Sequence, residues 1–289
     1  MSMSRQNVNR LLKRIVREEI VKIQIIDYMA ENIEIERRLE ETYRLKDAVV
    51  ISDLEDNSLI KSLGQAGADY INGLLSTYKV FGIGWGRTLK SLAENIKERH
   101  KGVSVVQLAG DIVLTGTDDQ AGISANRSDE LIILLSQRLG AMPYFLHVPV
   151  LVENSDTKKA MMEEYFVKNS FEMIERCEFA VHSIAGVGEN ITPFKESYLN
   201  MEDFNELIRK GAVGNINFRY YDINGKPVHT PIEDRLMVPT IEQLKKIPLT
   251  IGIGGGKEKE KAVLGALRGK LVDVLITNIE TANFLLENR

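Results

Sequence analysis

From about residue 47 onward, short apolar runs alternate with longer stretches in which apolar side chains recur every three or four positions. The runs are Ala48–Ser52, Val80–Gly84, Val103–Leu108, Tyr144–Val148, Phe179–Ile184, Leu249–Ile253 and Val272–Ile276. Their length and continuous apolar character predict strands buried on both faces. The longer stretches are Asp56–Leu75, Leu89–Arg99, Ser128–Leu139, Asp156–Phe166, Asn169–Cys177, Met201–Lys210, Lys257–Leu267 and Ile279–Leu286. They carry the period of amphipathic helices; in the first, Leu59, Leu63, Ala66 and Tyr70 form the inward stripe. Strands and helices in this alternation predict an α/β domain with a largely parallel sheet. Phe218–Tyr221 and Lys226–His229, joined by Asn224-Gly225, predict one hairpin.

The first 46 residues follow a different pattern. Ser4 suits the N-cap of a helix from Arg5 to about Glu18, with Val8, Leu11, Leu12 and Ile15 as its apolar stripe. Arg5, Gln6, Asn9, Arg10 and Lys13 fall largely on the other side, and such side chains read base edges and phosphates in a major groove. The same pattern also fits an ordinary solvated basic helix. Ile20–Ile25 alternates like a strand, as in the wing after a recognition helix. Only three residues precede Ser4, so the supporting helices of a helix-turn-helix are not in this sequence. DNA affinity is therefore expected to be much below that of an intact relative. Asp27–Lys46 is expected as a charged, partly helical connector. The division is then a helix-turn-helix remnant (1–27), a linker helix (28–46) and an effector domain (47–289).

Charge sharpens that division. The net charge of −4 splits into +4 over residues 1–22 and −8 over the remainder, so a polyanion partner is expected for the basic segment alone. No apolar run approaches a membrane span and no signal-peptide pattern opens the chain, which makes the cytoplasm the default location. A single cysteine, Cys177, excludes an internal disulfide and a cysteine-based zinc site. The four histidines (His100, His147, His182, His229) lie far apart without carboxylates at ligand spacing, and no metal is expected. His182, within FAVHSI, is expected as a hydrogen-bonded core residue, and Thr277 as a helix cap.

Two strand–turn–helix junctions are rich in glycine: GIGWGRT at 82–88 and GIGGGKEKEK at 252–261. In a parallel sheet both open at the carboxyl edge, where small ligands sit. The first amides of a helix have no internal partner and its dipole favours negative charge, so each junction is a candidate anion site. Gly84, Gly86, Arg87 and Thr88 supply close backbone, a forked cation and a hydroxyl. Trp85 could stack on a ligand or pack beneath the loop. Gly254, Gly255 and Gly256 precede Lys257, Lys259 and Lys261, cations that oppose the dipole and favour an anionic ligand. Packing alone would also explain glycines at such junctions.

These motifs, in this order, resemble the SorC-type (sorbitol/sorbose operon regulator) transcription factors of bacteria. The matching stretches are SRQNVNRLLKRIVREEIVKIQI, VFGIGWGRTL, VVQLAGDI, HSIAGVGE, GAVGNINFRYYDINGKPV, GIGGGKEKEKAVLGALRG and DVLITNIETA, spanning Ser4 to Ala282. The resemblance implies an α/β parallel-sheet sandwich of the sugar-isomerase/CoA-transferase-like type. It also implies a sugar-phosphate effector, operator DNA as partner, and a homodimer or homotetramer. Carried over by position, it assigns the phosphate to Gly84, Trp85, Gly86, Arg87, Thr88 and Lys259, and the sugar to Asn126, Arg127 and Asn215. Asn215 stands where an acid is usual, and Asn278 where an aspartate is common. Ala109 stands where some relatives carry a lysine able to form a Schiff base, so covalent capture is not expected. The same fold hosts sugar-phosphate isomerases and deaminases, whose chemistry needs a positioned base. Asp118, Asp119 and Glu189 qualify by loop position alone. With no paired carboxylates, a non-catalytic sensor without a cofactor is the expectation, and an isomerase or deaminase the alternative.

Overall fold

Seven strands lie parallel in the order β1-β9-β8-β5-β2-β3-β4 of a computed structural model describing residues 30–52, 56–111, 128–187 and 201–289. They are β1 (Asp47–Ile51), β2 (Val80–Ile83), β3 (Ser104–Gln107), β4 (Met142–Tyr144), β5 (Phe179–Gly186), β8 (Thr250–Ile253) and β9 (Val274–Asn278). Between β5 and β8 in sequence, β6 (Gly214–Ile216) pairs antiparallel with the carboxyl end of β5 and with β7 (Arg219–Tyr221). The expected basic helix and wing, with Arg5, Gln6, Asn9, Arg10 and Lys13, lie outside the described residues.

The helices are α1 (Ala30–Tyr43), α2 (Asp56–Leu74), α3 (Arg87–Asn95), α4 (Ser128–Leu139), α5 (Ser155–Glu163), α6 (Tyr165–Glu175), α7 (Met201–Arg209), α8 (Ile241–Lys245), α9 (Glu260–Arg268) and α10 (Ile279–Glu287). On one face of the sheet, α2, α3 and α4 bury Leu63, Leu92 and Leu135 against Phe81, Val105, Phe179 and Ile251. On the other, α1, α6, α9 and α10 bury Leu39, Phe171, Val263 and Leu285 with Val50, Val106, Ala180 and Leu275. Successive strand residues thus face opposite cores, which is why the strands read as unbroken apolar runs. Among the described residues no helix is long and apolar enough to cross a membrane.

Helix α1 is part of this packing. Ile35 and Leu39 are buried in the core, while Arg37 pairs with Glu34 and Glu41 on the outer surface. Strand β1 borders the sheet, with β9 as its strand neighbour. The Asn32 side-chain amide donates to the Val50 carbonyl at 3.1 Å, and the Val50 N–H donates to the Glu36 carboxylate at 2.8 Å. The segment expected as a connector therefore caps the edge strand with its own side chains.

Three elements differ from expectation. The strand expected at Tyr144–Val148 is β4 at Met142–Tyr144. Beyond it the Gln107 side-chain oxygen accepts from the Leu146 N–H at 3.1 Å, replacing the ladder. The helix expected from Lys257 opens as a 3-10 turn, Lys257–Lys259, before α9. The hairpin also shifts. Asn224-Gly225 does turn, with Gly225 at φ +71°, but its strands meet in a single bridge, Tyr221 to Pro227. Pro227 has no N–H to extend that ladder. The regular pair is β6–β7, turned by Asn217 and Phe218 at φ +51° and +64°.

Candidate functional site

The helix after β2 lies on one face of the sheet and the helix after β8 on the other, with β5 between these strands. A crevice opens beyond strand ends where connections diverge in this way, the usual ligand position in open α/β sheets. Here it holds a cavity lined by the loop after β2 (Gly84–Thr88), the end of β5 (His182, Ser183, Ala185, Gly186), Asn215, Asn217, and Glu258 and Lys259 after β8, with Ile60 from α2.

The first wall is the amino end of α3. The Gly84 N–H donates to the Val181 carbonyl at 2.9 Å, tying the loop to β5. Gly86 is the N-cap at φ 124°, ψ 165°, a conformation open essentially to glycine, and it provides no side chain to the first helical amides. The first amides of a helix have no intrahelical partner, and Arg87 and the buried Thr88 at this end of α3 line the cavity. Trp85 lines the cavity but also stacks on Phe218, with centroids 4.9 Å apart and planes 4° from parallel.

Lys259 faces this wall. It is half-buried, and desolvation together with the nearby Arg87 guanidinium lowers its pKa to about 8, against a smaller opposing effect of Glu258. Neither Lys259 nor the exposed Arg87 has a hydrogen-bond or ion-pair partner for its charged group among the described residues. Two cations near one another, with Glu258 acting on Lys259 only from outside ion-pair distance, repel each other, and a bound anion would relieve that repulsion.

The floor is polar and uncharged. His182, on β5, is buried with neither ring nitrogen hydrogen-bonded among the described residues, which corrects the expected hydrogen-bonded core histidine. Burial lowers its pKa to about 4, so the imidazole is neutral. Asn215 Nδ2 and Asn217 Oδ1 are likewise buried without partners among the described residues. Each such group costs about 1–3 kcal/mol relative to a satisfied one. The Asn217 amide donates to the Leu108 carbonyl at 2.6 Å. The strained Asn217-Phe218 turn sets that side chain, and Phe218 in turn backs Trp85.

The structure thus brings Gly84, Trp85, Gly86, Arg87, Thr88, Lys259 and Asn215 around one cavity. It does not bring Gly254, Gly255 and Gly256 there. The Gly254 N–H donates to the Ile276 carbonyl at 3.1 Å, and the Gly256 N–H donates to Asn278 Oδ1 and to Thr281 Oγ1, both at 3.0 Å. A Cβ on Gly255 would stand 2.4 Å from Asn278 Oδ1. The second glycine run therefore serves close packing against α10, and only the residues after it reach the ligand space. Asn126, Arg127, Asp118, Asp119 and Glu189 lie outside the described residues. Ala109 is buried in an apolar cluster with Phe218. Thr277 is not a cap: it is fully buried, and Asn278 holds the N-cap position of α10. Among the described residues no three metal-ligating side chains converge. His182 and Asn217 were missed because their placement depends on long-range packing; the polar side chain inside the apolar run FAVHSI was the one available signal.

Residues 27–287 match the Sugar-bind model, which describes a sugar-binding domain. The chain belongs to the sugar-binding domain family of SorC-type regulators. This sugar-binding chain is 30% identical over 295 residues to the deoxyribonucleoside regulator of Bacillus subtilis (strain 168), covering 100% of this chain and 90% of that one. It is 29% identical over 285 residues to the sorbitol operon regulator of Klebsiella pneumoniae, covering 98% and 89%. The crystal structure of full-length SorC from Klebsiella pneumoniae superposes with a TM-score of 0.80 at 29% identity, over 98% of this chain and 90% of that one. The domain is thus that of SorC/DeoR-type transcriptional regulators, and these relatives are named as regulators.

Proposed function

We propose that the cavity binds a phosphorylated carbohydrate, and that its occupation alters the assembly of protomers and so the engagement of operator DNA by residues 1–27. The carrying observation is that Lys259 and Arg87, neither of them in an ion pair among the described residues, line one cavity with the uncapped amino end of α3. The protein acts in the cytoplasm as a homodimer or homotetramer. It binds its effector without turning it over: Glu258, exposed, is the one carboxylate among the described residues lining the cavity, whereas sugar-phosphate isomerisation needs a base positioned at the substrate carbons.

The test is a thermal-shift and product assay with aldose and ketose phosphates beside their unphosphorylated parents. A phosphorylated ligand at about 100 times its Kd adds about 2.7 kcal/mol to stability, an upward Tm shift of roughly 5–10 °C. The parent sugar should give no comparable shift. Steady interconversion of a sugar phosphate would instead establish the isomerase or deaminase, and shifts independent of phosphorylation would remove the anion site.

Affinity should also depend on pH in a defined direction. In the free protein Lys259 holds its proton only below about pH 8. A phosphate favours the protonated amine, so binding above that pH draws in a proton. Affinity is therefore expected to fall as pH rises through 8, by up to about tenfold per pH unit. Titration calorimetry in buffers of differing ionisation enthalpy would register the proton uptake; a flat profile between pH 7 and 9 would separate Lys259 from the ligand.

A further inference from the structure

Three lysines follow the second glycine run, and they are placed differently. Lys257 and Lys261 are exposed, whereas Lys259, between them, is half-buried and lines the cavity. In the 3-10 turn Lys257–Lys259, residues two apart point to different sides, which separates Lys257 from Lys259. Lys259 stands at the N-cap of α9, yet its side chain makes no capping bond there. Its amine has no hydrogen-bond or ion-pair partner among the described residues. Around the same cavity stand Arg87 and Thr88, at the end of α3 whose first amides lack intrahelical partners. A primary amine is thus held inside an anion site. Burial and Arg87 lower its pKa to about 8. About one such amine in ten is free base at pH 7, against fewer than about one in a thousand for an ordinary lysine. Desolvation and a neighbouring cation are what activate a lysine as a nucleophile.

We propose that Lys259 is a covalent modification site: its nitrogen takes the acyl group of a small acyl phosphate held at the amino end of α3, and the resulting amide switches off sugar-phosphate binding. The proposal rests on the phosphate reading above. Among small activated acyl donors, the acyl phosphates are those whose leaving group is the anion fitted here. The free amine attacks the acyl carbon; the N–C bond forms and the acyl C–O bond breaks. The proton lost by nitrogen leaves on the departing hydrogen phosphate. Nothing is oxidised or reduced, and no further reactant is consumed. Lys257 and Lys261 do not line the cavity, so proximity favours Lys259. The amide is uncharged and offers one N–H in place of three, and the site loses a cation.

Acetyl phosphate is the probe, incubated with the full chain and followed by peptide mass spectrometry. Lys259 should be acetylated at least about tenfold faster than Lys257 and Lys261. Saturating inorganic phosphate should slow Lys259 and leave the two exposed lysines unaffected. At limiting reagent the Lys259 rate should climb with pH and level off near 8, where the amine of the free protein titrates. The acetylated chain, and Lys259→Gln as its uncharged counterpart, should bind sugar phosphate about 10- to 100-fold more weakly by calorimetry. Lys259→Arg keeps the cation and should lose far less affinity than Lys259→Gln, while taking no acetyl group at that position. If inorganic phosphate and every sugar phosphate fail to bind the unmodified chain, the phosphate reading falls and the acylation with it. If one of them binds, yet acetyl phosphate labels Lys259 no faster than Lys257 and Lys261, or phosphate gives no protection, the acylation falls alone. Unchanged sugar-phosphate affinity after acetylation of Lys259 overturns the switch.

Discussion

Replacing Lys259 by methionine is expected to lower sugar-phosphate affinity about 10- to 100-fold, the loss of a charge-assisted hydrogen bond worth about 1.5–3 kcal/mol. Methionine keeps the length and apolar stem, so the change isolates the ammonium. The same substitution should raise the melting temperature of the ligand-free protein. In that state Lys259 is half-buried beside Arg87, and both desolvation and like charge disfavour its protonated form. Opposite movements of stability and affinity mark a residue held in strain for a ligand. Arg87→Ala should cost only a few-fold, because its exposed guanidinium acts through water. Calorimetry on the two variants would decide; undiminished phosphate-dependent binding by Lys259→Met would remove the anion site.

Gly86→Ala should damage the site through the backbone. A Cβ at Gly86 would find ordinary space, with Ser183 Cβ at 3.6 Å, so the penalty is torsional. At φ 124°, ψ 165° it amounts to about 1–3 kcal/mol, a Tm loss on the order of 5 °C. Relaxation of that strain would re-aim the first amides of α3, and phosphate affinity should fall with stability. Gly84→Ala provides the contrast. Its φ is not in the left-handed range, and its Cβ would meet Asn217 Oδ1 at 3.4 Å, so little stability should be lost. Equal Tm values for the two alanine variants would show that the Gly86 conformation is unstrained.

The layered fold was readable because each strand is apolar on both faces and each helix on one. Phe81, Ile83, Phe179 and Val181 serve one core, and Ala180 and Ile184 the other. The first glycine loop was readable too, since strand, turn and helix are contiguous in sequence. The second misled, because the partners of the Gly256 N–H, Asn278 and Thr281, lie more than twenty residues away. The hairpin was misplaced for a related reason. Asn-Gly signals a tight turn, whereas a phenylalanine at positive φ carries no such signal and is held there by packing under Trp85. Of the polar floor only Asn215 was named from sequence, through the resemblance; His182 and Asn217 join it only once β5, β6 and the turn are assembled.

Asn32 and Glu36 have one more consequence. They close the β1 side of the sheet with side chains, where a further strand would otherwise dock. A chain shortened to begin at residue 47 would lose that seal and present a bare rim, open to pairing with the rim of another molecule. The smallest piece able to stand alone in solution must therefore retain residues 30–43.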